Sequence, residues 1–75
     1  MVKLPRLSGK EVIKILSKEG FVSIRQKGSH VFMSKQSPIG KVSLVVPMHK
    51  EIDTGTLLEI IRQAKLTKQQ FLDLL

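Results

Sequence analysis

A histidine stands directly behind a glycine turn in Gln26-Lys27-Gly28-Ser29-His30, with Arg25 and Lys27 just before it and Lys35 further along. Cutting a phosphodiester requires one group that moves protons and another that neutralises charge at phosphorus. Imidazole suits the first task because its unperturbed pKa lies near ~6.5. Lys or Arg suits the second, where phosphate charge develops. RNA carries a potential nucleophile in its own 2′-OH, so a protein that cuts it need not supply a metal. The backbone N–H groups of Gly28 and Ser29 add candidate anion contacts. By residue type alone, a structural or solvated histidine at a strand start is the commoner reading.

The second histidine, His49, follows Pro47-Met48 on a loop, where holding that loop by hydrogen bonds is its simplest role. A metal site could gather His49, Glu51 and Asp53, but no further ligand completes it, so neither a metal nor a cofactor is expected. Neither a phosphate loop nor a zinc signature occurs. Thirteen Lys and Arg against six Asp and Glu leave a net charge of +7. Such an excess favours polyanions, because bound cations release condensed counterions, although an acidic protein would fit the same number. Three Phe with no Tyr or Trp offer little base stacking, so backbone and shape recognition fits better. Arg62, Lys65 and Lys68 read as a solvated helical rim, with RNA contact as the alternative.

The elements that must position these residues announce themselves locally. Seventy-five residues make one domain, 1–75, with a thin core. There are no cysteines and hence no disulfides. No apolar run approaches the ~20 residues of a membrane span, and MVKLPRLSGK lacks a leader's apolar centre. A cytoplasmic protein is expected. Ser8-Gly9-Lys10-Glu11 is a capping box with Leu7 and Val12 as its staple, and Gly20 ends that helix. Three strand-like runs follow: Phe21 to Gln26, His30 to Lys35 and Lys41 to Val46. In the first, Val22 and Ile24 should face the core; in the second, His30/Phe32 and Val31/Met33 are both plausible inward pairs. Thr56 to Glu59 reads as a second capping box and Thr67 to Gln70 as a third. Phe71, Leu72, Leu74 and Leu75 read mostly as core anchors. Helix, three antiparallel strands, helix and short helix is the layout of an α+β, double-stranded-RNA-binding-like fold.

Several motifs together resemble the HicA (YcfA-like) toxins. Gly20-Phe21 and Arg25-Gln26-Lys27-Gly28-Ser29-His30 match the front of that family. Val46-Pro47-Met48-His49, Gly55-Thr56-Leu57, Ile61-Arg62-Gln63-Ala64 and Leu66-Thr67 match its rear half. The resemblance implies a type II toxin–antitoxin toxin: a ribosome-independent mRNA interferase that is held in check by a HicB antitoxin covering its active site. It also implies that His30 is catalytic and that His49 matches the family's second histidine. Arg25, Lys27, Gly28, Ser29 and Lys35 are then the candidate RNA contacts. Lys65 stands where many relatives carry glycine, which weakens the expected helix stop. Two rival readings use the same residues: an RNA-binding module that does not cut, and a basic face that docks an acidic protein.

Overall fold

The computed structural model describes residues 3–75; Met1 and Val2, the start of the segment read for a leader, lie outside the described residues. The elements run α1 (Gly9–Lys18), β1 (Val22–Lys27), β2 (His30–Ser37), β3 (Gly40–Pro47), α2 (Thr54–Gln63) and α3 (Lys68–Leu72). The strands form one antiparallel sheet in the order β1-β2-β3, with the helices against one of its faces. This is the expected α+β, double-stranded-RNA-binding-like arrangement with a short C-terminal helix. The result is a slab of 31 × 30 × 18 Å, as thin as two layers require.

Capping explains where the helices begin, and at two of them it is a reciprocal capping box. The Ser8 hydroxyl accepts from the Glu11 N–H at 3.2 Å while the Glu11 carboxylate accepts from the Ser8 N–H at 2.9 Å. Thr67 and Gln70 repeat the exchange at α3. At α2 the expected box does not form. Asp53 caps that helix instead, accepting from the Thr56 N–H at 3.1 Å and from the Thr56 hydroxyl at 2.7 Å. Asp is the stronger N-cap, and starting at Thr54 adds helical residues that Thr56 as a cap would exclude. Glu59 is thereby released to pair with Arg62.

Val12, Ile15 and Leu16 of α1 and Leu57, Ile60, Ile61 and Ala64 along α2 are buried against Val31, Met33, Val42, Leu44 and Val46. Val31 and Met33 are therefore the inward pair of β2, and alternation turns His30 and Phe32 to the open face. β1 departs from expectation. Val22 is 59% exposed and Ile24 52% exposed, and every residue of the strand is exposed. The register shifts between Ser23 and Arg25, leaving Ile24 as the unpaired residue of a bulge. The helices pack chiefly on β3 at the other edge, so a chain this short leaves β1 uncovered. Phe21, just ahead of β1, supplies the core contact instead. At the C-terminus Phe71 is fully buried, Leu74 packs partly against the core, and Leu75 is exposed.

Candidate functional site

The β1–β2 connection is two residues long, because Lys27 and His30 are cross-strand partners. Gly28 takes φ +59, and among the loop residues it alone has positive φ, which is the type II′ pattern that suits the twist of a hairpin. The Gln26 side chain donates to the Gly28 carbonyl at 3.0 Å and braces the turn from inside. From outside, Met48 donates its N–H to the Ser29 carbonyl at 2.6 Å. Strand pairing, turn and return loop thus converge on the residue before His30.

Cross-strand register orders the open face into rows. His30 lies between Lys27 on β1 and Pro47 on β3. Phe32 lies between Arg25 and Val45, and the Arg25 guanidinium carbon sits 4.7 Å from the Phe32 ring centroid. That stacking holds a planar cation over the sheet, one row from the imidazole. Ser34 comes next, between Val22 and Ser43, and then Gln36 beside Lys41. His30, Arg25, Lys27 and Lys41 are all exposed. From Gly20 to Lys50 the chain contains no Asp or Glu, so no carboxylate of the sheet opposes these cations. The summed field over this face is positive, which draws a polyanion toward it.

Of the residues named from sequence, the fold brings together His30, Lys27, Arg25, Gly28 and Ser29. Lys35 is elsewhere. It lies on the helix-covered face, with its ammonium 3.3 Å from the Glu19 carboxylate and 5.7 Å from the Phe21 ring centroid. Strand parity separates it from His30, and this was readable in advance, since an odd offset along a strand changes face. Lys41 joins the open face without having been singled out. Its signal is the hairpin register, which sets it opposite Gln36, an even offset from His30.

His49 lies two residues beyond Pro47, His30's cross-strand partner, and is exposed. Its carbonyl accepts the Gly9 N–H at 2.9 Å, so its backbone does anchor the loop. A cleft of about 250 Å³ opens beside it, lined by Ser8, Lys10, Met48, His49 and Lys50. The two carboxylates near His49 are engaged elsewhere. Glu51 pairs with Arg6 at 3.0 Å, and Asp53 caps α2. The Thr56 hydroxyl and N–H hold the Asp53 carboxyl below its ordinary range. Among the described residues no three His, Asp or Glu side chains gather as a metal site would require.

A three-stranded antiparallel sheet, backed by helices and open on an acid-free cationic face, defines a small α+β domain of the double-stranded-RNA-binding-like class. A family model described as the HicA toxin of bacterial toxin-antitoxin systems matches residues 9–66, most of the chain. The chain belongs to the HicA toxin family. Membership implies a HicB-type antitoxin as its partner. No curated protein matches the chain. Among the described residues no helix is long and apolar enough to cross a membrane.

Proposed function

We propose that this chain is the toxin of a type II toxin–antitoxin pair and acts as an mRNA interferase, an endoribonuclease whose catalytic residue is His30. The observation that carries the reading is the grouping of an exposed imidazole with Lys27 and Arg25 on one acid-free face, inside a HicA family match. In the proposed step the ribose 2′-oxygen attacks the adjacent phosphorus while His30 takes its proton. The 5′-oxygen leaves with a proton from a second donor, and the phosphate closes onto the 2′- and 3′-oxygens. Lys27, directly across the hairpin, neutralises the charge that builds on the non-bridging oxygens. Arg25 fixes the strand beside it, and the Gly28–Ser29 turn sets the imidazole's approach. His49 is the candidate second group, since the loop that carries it is bonded to the same turn. A HicB-type antitoxin that covers this face would silence the toxin by excluding RNA.

The test is cleavage of an mRNA transcript by native protein and His30→Ala, each with and without a chelator. Loss of cleavage by at least about a hundredfold in the variant, with unchanged thermal unfolding, is expected. A His30→Ala protein that still degrades mRNA at the native rate refutes the assignment. RNA that is bound by both proteins and remains whole identifies the non-cutting module instead.

A further inference from the structure

A cleft of about 340 Å³ runs along the free edge of β3, at the far end of the sheet from His30. Lys41 and Ser43 line it from the strand, and Arg62, Gln63 and Lys65 line it from the end of α2. Arg62 already holds the Glu59 carboxylate, whereas Lys41 and Lys65 have no carboxylate partner among the described residues. The cleft is therefore cationic beyond its own internal pairing, and it is rimmed by a hydroxyl and an amide that can donate to an oxyanion.

Lys65 is held there at a conformational cost. The helix closes with the Leu66 N–H on the Ile61 carbonyl at 3.2 Å and the Lys65 N–H on the Arg62 carbonyl at 3.1 Å. This double closure requires a left-handed residue between them, and Lys65 supplies it at φ 63. The same closure ends α1, where Phe21 and Gly20 donate to Leu16 and Ser17, and there the left-handed residue is glycine at φ 101. A side chain in this region is disfavoured, and residues held this way cluster at ligand clamps and other functional sites. Here the residue contributes an ammonium to a cleft that a glycine would leave less charged.

We propose that this cleft binds a backbone phosphate of the RNA strand whose reacting phosphate lies at His30, and so sets the direction in which the strand crosses the sheet. The proposal rests on the RNA-cutting reading above and extends it. Lys41 shares the open face with His30, and the offset from His30 to Gln36, its partner, puts it ~20 Å away at the usual strand rise. The lane between them holds Phe32 and then Ser34 with Ser43, with no carboxylate to repel a strand. Single-stranded RNA of several nucleotides, rather than an isolated phosphate, is the ligand this spacing suits.

Lys65→Gly makes the test clean, because it removes the ammonium while relieving the strained backbone. Binding is measured in the His30→Ala background, so that the RNA stays whole, by titrating a labelled mixed-sequence single strand across about 50–200 mM salt. Each of Lys41→Ala and Lys65→Gly should lower the salt slope by about 0.7, the value of one lost phosphate contact on a single strand. Affinity at low salt should drop about fivefold for each. Lys14→Ala, on the exposed side of α1, should leave the slope in place. Unfolding midpoints should be held in Lys41→Ala and raised in Lys65→Gly, so that lost binding is not lost folding. RNA binding with slopes unchanged in both cleft variants overturns the proposal and spares the RNA reading. No RNA binding by the His30→Ala protein even at low salt overturns both. Lowered slopes with no cleavage by native protein keep the cleft and overturn only the nuclease.

Discussion

Replacing Gly9 by alanine asks how firmly the start of α1 holds the corner that carries His30. A Cβ built on Gly9 would lie 2.9 Å from the Met48 Cα and 3.2 Å from the Pro47 carbonyl carbon, and closer still to the Pro47 oxygen. These are backbone atoms, so no side-chain rotation relieves the clash. Pro47 is the cross-strand partner of His30, and Met48 gives its N–H to Ser29, so the strain falls on both sides of the histidine. Overpacking of this kind costs about 1–3 kcal/mol. Weakening the bonds from Gly9 to His49 and from Met48 to Ser29 costs about 0.5–1.5 kcal/mol each. Alanine's better helix propensity returns up to ~1 kcal/mol. The net loss is about 1–6 kcal/mol, against a total stability of roughly 4–11 kcal/mol for a domain of this length.

In a domain of this size each kcal/mol moves Tm by about 4–8 °C, so a 2 kcal/mol loss lowers the midpoint by roughly 8–16 °C. Thermal unfolding followed by circular dichroism reads this directly. Gly55→Ala is the matched control. Gly55 also lies in the first turn of a helix, but its Cβ would meet only the Asp53 carboxylate oxygen, at 3.3 Å. Its midpoint should stay within a few degrees of native. Cleavage should also fall in Gly9→Ala at temperatures where the variant remains folded, because the turn that aims His30 has moved. A Gly9→Ala midpoint equal to native, or one that falls no further than Gly55→Ala, refutes the account of this corner.

Two further outcomes concern the helix ends. The Asp53 carboxyl is held low by the Thr56 hydroxyl and then its N–H, and Glu11 by the N–H and then the hydroxyl of Ser8. A lowered folded-state pKa means stability that is complete above the unfolded value and is lost as pH falls through the folded one. Tm should therefore decline between about pH 5 and pH 2, and Asp53→Asn, which keeps a cap but cannot titrate, should decline less steeply. Parallel curves would remove Asp53 from the acid response. Lys65→Gly should raise stability by about 0.5–1 kcal/mol, the left-handed penalty less glycine's extra chain entropy. An unchanged or lower midpoint in that variant would show that no strain resides at Lys65.

What could be read along the chain was whatever depends on a few consecutive residues. The capping boxes at Ser8 and Thr67, the glycine stop at Gly20 and the tight turn at Gly28 all form as their local chemistry dictates. Competition between neighbouring signals was harder: Thr56 matches a capping box, but Asp53 three residues earlier caps better, and the stronger acceptor sets the boundary. β1 failed for a different reason. Val22 and Ile24 alternate as a half-buried strand does, but burial needs a covering layer, and the helices pack chiefly on the opposite edge. No pattern within β1 reports where α1 and α2 will lie.

The candidate site shows the same division, with one part that lay within reach. Lys35 shares a short run with His30, and proximity in sequence placed it among the RNA contacts, yet β2 turns it toward Glu19. Lys41 lies beyond a hairpin and stands on the histidine's face. Strand parity and hairpin register would have exchanged these two lysines without any knowledge of the core. Which of the two faces is open is another matter. It depends on whether Val31 and Met33 or His30 and Phe32 meet the helices, and His30/Phe32 carries an apolar residue of its own. Burying the first pair hides only apolar side chains, whereas burying the second would strand an imidazole and the Arg25 cation on Phe32 within the core. The desolvation cost of polar groups thus selects the face, and with it the side from which RNA would reach His30.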